Sequence, residues 1–322
     1  MANDGSAAGE GVRAVRPPAG SAPAHAEQAR QRTVGAAVQL GTEVSINLGS
    51  ALAGLVIPIV GAPIVVAARQ LVMAAVLLPF YRPKRAELSW RRLWPAIALG
   101  VALAAMNLSF YQAVHILGLG IAATIEFLGP LTLALVTSRR LLDVICAIAA
   151  GGGVFLLTGF DGTVDGWGIL LALTAAAAWA AYIVLTRRVA TRLPGLEGLT
   201  VGGIVSLVIL LPLAAATIDP GAFDWQVIAL LVGVGILSSA LPYSLDTFIL
   251  RRITPRLYAI ITAFGPVVAA VFGWLILAEQ FTVLEVVAIA IVCTAAGTAI
   301  ATQREQPGPR PSDLARAAEI TP

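Results

Sequence analysis

The sequence contains few charged residues. Asp, Glu, Lys and Arg make up 12% of its 322 residues, whereas soluble globular proteins have about 25%. Hydrophobic residues make up 58%, and the mean hydropathy is +0.87. Too few charges remain to cover the surfaces of two soluble domains, so the composition excludes a soluble two-domain protein. Long uncharged segments between Val34 and Thr302 predict instead an all-α protein that crosses the lipid bilayer several times.

Motifs for several kinds of chemistry are also missing. The single lysine, Lys84, follows no glycine-rich run, so the chain has no Walker loop for ATP. The sequence has no HExxH, CxxC or paired-Asp motif. The two cysteines, Cys146 and Cys293, lie in separate apolar segments without the spacing of metal ligands, which predicts buried side chains. We therefore expect no cofactor, no bound metal, no enzymatic activity and no nucleic-acid partner.

The apolar segments predict ten transmembrane helices. Residues 1–33 precede them, contain no apolar signal-peptide core, and are interpreted as a disordered tail, and residues 303–322 form a second tail. The predicted helices occupy 34–58, 62–80, 94–114, 116–137, 141–159, 167–186, 197–217, 225–250, 256–278 and 282–302.

Basic residues are confined to every second connection between these helices. Of the 21 Lys and Arg residues, all except Arg69 lie in the two tails or in alternate loops. The intervening loops carry acids instead, at Asp161, Asp165, Asp219, Asp224 and Glu279. Since positive loops stay on the cytoplasmic side, this alternation predicts that both termini are cytoplasmic. An omitted or added helix would destroy the alternation.

A weak internal repeat relates the two halves of the chain. A shift of 136 residues aligns Gly129-Pro130 with Gly265-Pro266, and each pair interrupts an apolar segment. The segments are five helices apart, so the halves 34–160 and 161–302 would cross the bilayer in opposite senses. Inverted repeats with matching helix breaks are typical of secondary transporters. The alternative interpretation of each Gly-Pro pair is a simple packing kink.

Four charged residues lie deep enough within the predicted helices that each one is energetically costly. Glu126 lies three residues before Gly129 and is the leading candidate for a binding or proton-coupling site. Arg69 could neutralise Glu126 or bind a substrate carboxylate. Glu43 could take part in coupling or line a water-filled vestibule. Asp246 could couple protons or extend toward the arginines of the next loop.

Aromatic side chains accompany these charges. Phe110, Tyr111, Trp179 and Tyr182 could line a cavity and present ring faces to an ammonium group. Aromatic residues in a membrane protein also commonly serve only to pack helices together.

Several motifs resemble those of the drug/metabolite transporter superfamily with two EamA repeats, and within it the bacterial threonine and homoserine exporters. The resemblance covers nearly all of 47–302. It implies ten helices arranged as two inverted five-helix repeats, efflux of small amino acids, and proton exchange. The matching motifs are Gly61-Ala62-Pro63 followed by Arg69, Met106-Asn107 with Phe110-Tyr111, Glu126-Phe127-Leu128-Gly129-Pro130-Leu131, Ser138-Arg139-Arg140, and Leu241-Pro242-Tyr243-Ser244-Leu245.

These observations predict a multi-pass exporter in the bacterial cytoplasmic membrane, with its substrate site between the two repeats. A zwitterion suits the available charges, because its carboxylate can meet Arg69 and its ammonium can meet Glu126. Efflux of drugs or nucleobases remains an alternative, as does a membrane-embedded enzyme or scaffold. The predicted binding residues are Arg69, Asn107, Phe110, Tyr111, Glu126 and Tyr243, with Glu126, Asp246 and Glu43 for protons.

Overall fold

The computed structural model describes residues 21–81, 89–136, 141–158, 165–193, 196–250 and 252–302. Within these ranges the chain is helical and contains no β-strand. The helices are α1 (Ser21–Val60), α2 (Ala62–Leu77), α3 (Trp90–Leu117), α4 (Leu119–Glu126), α5 (Leu128–Val136), α6 (Leu141–Thr158), α7 (Gly166–Ala190), α8 (Glu197–Thr217), α9 (Trp225–Gly235), α10 (Leu241–Leu250), α11 (Pro255–Thr262), α12 (Gly265–Leu277) and α13 (Val283–Thr302).

Seven helical segments of the described chain are long and apolar enough to cross a membrane. Three shorter apolar helices, Ala62–Leu77, Leu119–Leu133 and Val144–Leu157, accompany them. Each of these segments overlaps one of the apolar stretches predicted from sequence. The chain is therefore a multi-pass helical membrane protein.

The amino-terminal part of α1 differs from the sequence-based expectation. The sequence predicts a disordered tail that includes residues 21–33, but α1 begins at Ser21. The segment is rich in Ala, Gln, Glu and Arg, which have high helix propensity, so it extends the following apolar helix by several turns. Residues 1–20 and 303–322 of the predicted tails lie outside the described residues.

Two membrane segments are interrupted beside their Gly-Pro pairs. Phe127 separates α4 from α5, in which Gly129 and Pro130 occupy the first turn. Ala263 and Phe264 separate α11 from α12, which begins at Gly265. Proline fits a first helical turn because its missing N–H has no partner there. The short helices α4 and α11 have eight residues each, and their first residues are 136 positions apart.

The two halves of the chain pack through exchanged contacts. Helix α1 packs against α9, α10, α11 and α12, whereas α7 packs against α3, α4 and α5. The first helix of each half thus contacts the third and fourth membrane segments of the other half. The two cysteines, Cys146 in α6 and Cys293 in α13, are buried, as the sequence predicts.

Candidate functional site

A cavity of about 200 Å³ lies between the two halves. Its walls come from α1, α2, α3, α4, α7, α10, α11 and α12, together with Ser238 from a π-helical segment, Ile236–Ala240, that joins α9 to α10. Polar or aromatic groups make up most of the wall. These are Thr42, Glu43, Asn47, Ser50, Arg69, Asn107, Phe110, Glu126, Phe127, Trp179, Tyr182, Ser238, Tyr243, Tyr258 and Thr262.

The cavity occupies one half of the bundle, which we call the basic half because its helix ends adjoin the arginine-bearing loops. Tyr182 lies one turn before Arg187 in α7, and Tyr258 lies early in α11, just after Arg252. The acidic half, which ends near Asp165, Asp224 and Glu279, contains the largest core cluster of buried apolar side chains instead.

Arg69 is buried at the wall of the cavity and bonded to neutral groups. Its Nε donates to Oγ of Ser239 at 2.5 Å, and one terminal nitrogen donates to Oδ1 of Asn107 at 2.6 Å and to the hydroxyl of Tyr111 at 3.1 Å. The other terminal nitrogen donates to the carbonyl of Ser238 at 2.7 Å. These bonds use four of the five N–H groups of the guanidinium. None of these partners is a carboxylate, so the guanidinium is fixed in position by uncharged groups.

The groups that hold Arg69 are themselves fixed by their helices. The amide nitrogen of Asn107 donates to the carbonyl of Leu103 at 2.8 Å, which turns Oδ1 toward the guanidinium. The π-helical segment makes carbonyls available to side chains of the first half, since Ser45 donates to the carbonyl of Leu237 and Arg69 to that of Ser238. Such π-helical insertions occur frequently at functional sites.

Glu126 is the last residue of α4 and lines the same cavity as Arg69. It is not one of the four hydrogen-bond partners of the guanidinium. The carbonyl end of a helix carries partial negative charge, which adds to that of the carboxylate. This corner of the cavity therefore favours a cation.

Glu43 lies beside the helix break of the second half. Gln39 donates from one nitrogen to Oε1 of Glu43 at 3.1 Å and to Oγ1 of Thr262 at 3.3 Å. An ideal Cβ on Gly265 would lie 3.5 Å from Oε2 of Glu43. Glu43 thus sits close to the amino end of α12, whose partial positive charge stabilises an anion.

Aromatic rings close the remaining wall. Phe110 and Tyr111 make an edge-on contact with ring centroids 5.3 Å apart, and Phe127 and Trp179 do so at 5.8 Å. Tyr111 is fully buried behind the cavity, where its ring lies 5.7 Å from the guanidinium carbon of Arg69. Tyr111 therefore supports Arg69 rather than lining the cavity.

Most residues predicted from sequence meet at this cavity. Arg69, Asn107, Phe110, Glu126, Tyr243, Glu43, Gly265 and Pro266 line it. Gly129 lies instead where α5 contacts α7, so close that a Cβ at this position would collide with the carbonyl oxygen of Ala176. Pro130 is likewise not among the lining residues. The side chain of Asp246 lies outside the described residues.

Sequence analysis missed several site residues. Ser238 and Ser239 form an adjacent pair of hydroxyl residues within an otherwise apolar segment, and that contrast was the available signal. Thr262 occupies the position 136 residues after Glu126, so the repeat could have identified it. Within the described ranges, no group of three His, Cys, Asp or Glu residues is arranged to hold a metal ion.

Comparison with known proteins gives consistent matches. Residues 166–301 match the EamA-like transporter family. The threonine/homoserine exporters RhtA of Salmonella typhimurium (strain SL1344) and Escherichia coli (strain K12) are each 35% identical over 265 residues, which is 81% of this chain and 90% of theirs. A crystal structure of another protein, 19% identical, superposes with a TM-score of 0.56 over 84% of this chain and 97% of its own, which indicates a shared fold.

Proposed function

Because this chain belongs to the EamA-like transporter family of the drug/metabolite transporter superfamily, we propose that it is a secondary transporter that exports small amino acids such as threonine and homoserine. The names of its relatives in Salmonella typhimurium and Escherichia coli support this substrate class. The sequence has no ATP-binding loop, and exchange with protons is the driving force that we propose.

The observation that carries the proposal is the pairing of unlike charges in one cavity. Arg69 provides a fixed positive charge, and Glu126 provides a carboxylate that Arg69 does not bond. A zwitterionic amino acid presents the complementary charges in one small molecule. Four N–H groups of Arg69 already have partners, so its charge, rather than a two-pronged hydrogen bond, attracts the substrate carboxylate. Asn107, Phe110 and Tyr243 contact the rest of the substrate.

The size of the cavity supports a small substrate. Sites for drug-sized molecules have volumes of about 300 to 1,000 Å³, whereas this cavity measures about 200 Å³. Its several charged and hydroxyl groups also suit a polar metabolite better than a flat apolar drug.

Coupling to protons follows from competition at a carboxylate. The carboxylate of Glu126 cannot bind a proton and the substrate ammonium at the same time. Export of the substrate is therefore accompanied by entry of a proton. Glu43 and Asp246 are the further carboxylates proposed for this role.

The proposed architecture is a ten-helix bundle of two inverted repeats, 34–160 and 161–302. Matching interruptions at Gly129-Pro130 and Gly265-Pro266, and the equal lengths of α4 and α11, support it. We place the protein in the bacterial cytoplasmic membrane with the basic loops and both termini in the cytoplasm. In this orientation the cavity lies in the cytoplasmic half, which is the arrangement that loads substrate for export.

Counterflow in proteoliposomes tests the proposed function. Vesicles loaded with unlabelled threonine should accumulate external labelled threonine and homoserine, and an imposed pH gradient should change the rate of net movement. Glutamate, a nucleobase and a cationic dye serve as competing substrates. Uptake of the dye or the nucleobase without uptake of threonine would overturn the proposal in favour of drug or nucleobase efflux.

A further inference from the structure

The acidic half of the bundle is closed by tightly packed side chains. The end of α1, the beginning of α2, the end of α3 and the helix α4 contribute to one buried core there, which includes Val56, Val65, Val114, Leu119 and Ala122. A substrate in the cavity therefore has no path to the acidic end unless these helices separate.

Glu279 makes a specific contact across this closed end. It lies between α12 and α13, and its Oε1 accepts a hydrogen bond from the backbone nitrogen of Leu119 at 2.5 Å. Its Oε2 accepts one from the backbone nitrogen of Gly120 at 3.2 Å. The first N–H groups of a helix have no partner within the helix, and negative charge is favourable beside them. Glu279 thus caps α4 from a position about 160 residues away in the chain.

Two glycines leave the space that the carboxylate occupies. Gly118 precedes α4 with φ of 85°, and a Cβ there would lie 2.9 Å from the carboxyl carbon of Glu279. For a Cβ on Gly273, the three nearest atoms all belong to the Glu279 carboxylate, with which it would collide. Ala278 adopts a left-handed conformation at φ 55°, and the backbone nitrogen of Glu279 donates to the carbonyl of Gly273 at 3.1 Å. The surrounding backbone therefore fixes the carboxylate against α4.

The opposite end of the same short helix carries Glu126. Eight residues of α-helix span about 12 Å, so Leu119 at the closed end and Glu126 in the cavity belong to one short rigid element. A contact that fixes the first residue of α4 also fixes the position of its last residue.

We propose that Glu279 is a positioning residue for transport: it holds α4 in the state that is closed at the acidic end, and its bonds to Leu119 and Gly120 break each time substrate is released there. This inference rests on the proposed export function, because release at the acidic end requires α4 to separate from α12. A second acid at this end behaves differently. Glu285 accepts hydrogen bonds from the backbone and hydroxyl of Thr282, within its own helical turn.

The labelling rate of a buried cysteine tests the proposal. Ala122→Cys places a thiol in the closed core, one turn from Glu126, after Cys146 and Cys293 have been replaced by alanine. In nanodiscs, Glu279→Ala should raise the rate at which this thiol reacts with a hydrophilic maleimide by about fivefold or more. The reason is that α4 loses its hydrogen bonds to the charged carboxylate of Glu279. Glu285→Ala is the matched control and should leave the rate unchanged.

Gly273→Ala provides a second variant that keeps the carboxylate. Its methyl group occupies the site of the Glu279 carboxylate and displaces it, so the labelling rate should rise as in Glu279→Ala. The double variant Gly273→Ala, Glu279→Ala should have the same labelling rate as either single variant, because both substitutions remove the same contact. In proteoliposomes both variants should raise the KM for substrate on the cytoplasmic side and lower it on the opposite side, whereas loss of folded protein would lower only the maximal rate.

Three results would overturn the inference: unchanged labelling in both variants, an equal increase in Glu285→Ala, or failure of both variants to insert, which would make the contact purely structural. The labelling result does not depend on the substrate. If the wild-type protein transports no amino acid, the proposed function fails while labelling still decides whether Glu279 holds α4.

Discussion

Arg69 in α2 and Ser239 in the π-helical segment are 170 residues apart in sequence, yet Nε of Arg69 donates to Oγ of Ser239 at 2.5 Å. The adjacent carbonyl of Ser238 accepts a second bond from the same guanidinium. One buried cation therefore joins the two halves of the chain at the wall of the cavity. Any movement of the halves against each other must either carry this contact along or break it.

This geometry predicts that lysine cannot replace Arg69. A lysine ammonium keeps the charge but lacks the planar fork that reaches Ser239, Asn107 and Ser238 together. Transport by Arg69→Lys should fall by about tenfold or more, as expected for loss of hydrogen bonds from a charged donor. Initial rates of threonine counterflow, normalised to inserted protein, measure the effect. Wild-type rates in Arg69→Lys or Arg69→Ala would remove this residue from the site.

Asn107→Asp should weaken substrate binding because it neutralises the charge of Arg69. The substitution places a carboxylate where Oδ1 accepts from Arg69 at 2.6 Å, and the resulting ion pair neutralises the charge that attracts the substrate. Asn107→Ala is the comparison variant, because it removes the bond but leaves the cation uncompensated. Threonine binding measured by calorimetry should be weaker in Asn107→Asp than in Asn107→Ala. The reverse order would contradict the assigned role of the Arg69 charge.

The two repeat-related glycines should respond differently to alanine. A Cβ at Gly129 collides with the backbone oxygen of Ala176, whereas a Cβ at Gly265 makes only an ordinary contact at 3.5 Å with Glu43. Gly129→Ala should cost about 1 to 3 kcal/mol of stability, which lowers the melting temperature by several degrees. Gly265→Ala should melt close to wild type. Thermal unfolding in detergent compares the pair, and equal melting temperatures would refute the assignment of Gly129 to helix packing.

Much of this arrangement could be predicted from sequence because burying a charge in a membrane is costly. Arg69, Glu126 and Glu43 stood out as charges within apolar segments, and the structure places all three at one cavity. The Gly-Pro pairs identified the positions at which the helices are interrupted, since proline cannot donate a backbone hydrogen bond within a helix.

The partners of these charges could not be predicted in the same way. From the sequence, Glu126 is a candidate partner of Arg69, but the guanidinium donates to Ser239, Asn107, Tyr111 and a backbone carbonyl. Hydroxyl and carbonyl groups carry no charge pattern, and the π-helical segment that presents Ser238 and Ser239 lies about 170 residues from Arg69 in the sequence. Glu279 was similarly grouped with the loop acids, because its contact with α4 spans 160 residues.

The pH dependence of stability should report the environment of Glu279. Burial raises the pKa of its carboxyl, and the backbone N–H groups of Leu119 and Gly120 offset only part of that effect. A carboxyl whose pKa is higher in the folded state binds protons more tightly there, so its contribution to stability is greatest at low pH and falls as the pH rises through the folded pKa. The melting temperature of wild type relative to Glu279→Gln should therefore decrease from pH 4 to pH 7. A constant difference would contradict this environment.

The last prediction concerns energy coupling at Glu126, which ends α4 inside the cavity and is not a hydrogen-bond partner of Arg69. Glu126→Gln mimics a permanently protonated carboxyl. If protonation of Glu126 alternates with substrate binding, this variant should lose accumulation driven by a pH gradient. Exchange of substrate for substrate should persist at raised substrate concentration, because it requires no change in protonation, although the variant lacks the charge that binds the ammonium group. Proteoliposomes with and without an imposed gradient measure both activities on one preparation.

Two outcomes would contradict the role of Glu126, and they point to different alternatives. If Glu126→Gln still concentrates substrate against a gradient, coupling belongs to Glu43 or Asp246, and Glu43→Gln is the variant to compare. Failure of Glu126→Gln to insert would indicate that the carboxylate balances the nearby charge of Arg69 structurally, without bonding it. The double variant Arg69→Leu, Glu126→Leu separates these cases, because removing both members of a structural pair can be nearly neutral for stability. Removal of a working site cannot restore transport, so a double variant that inserts but does not transport shows that the two charges serve transport and are not required for insertion.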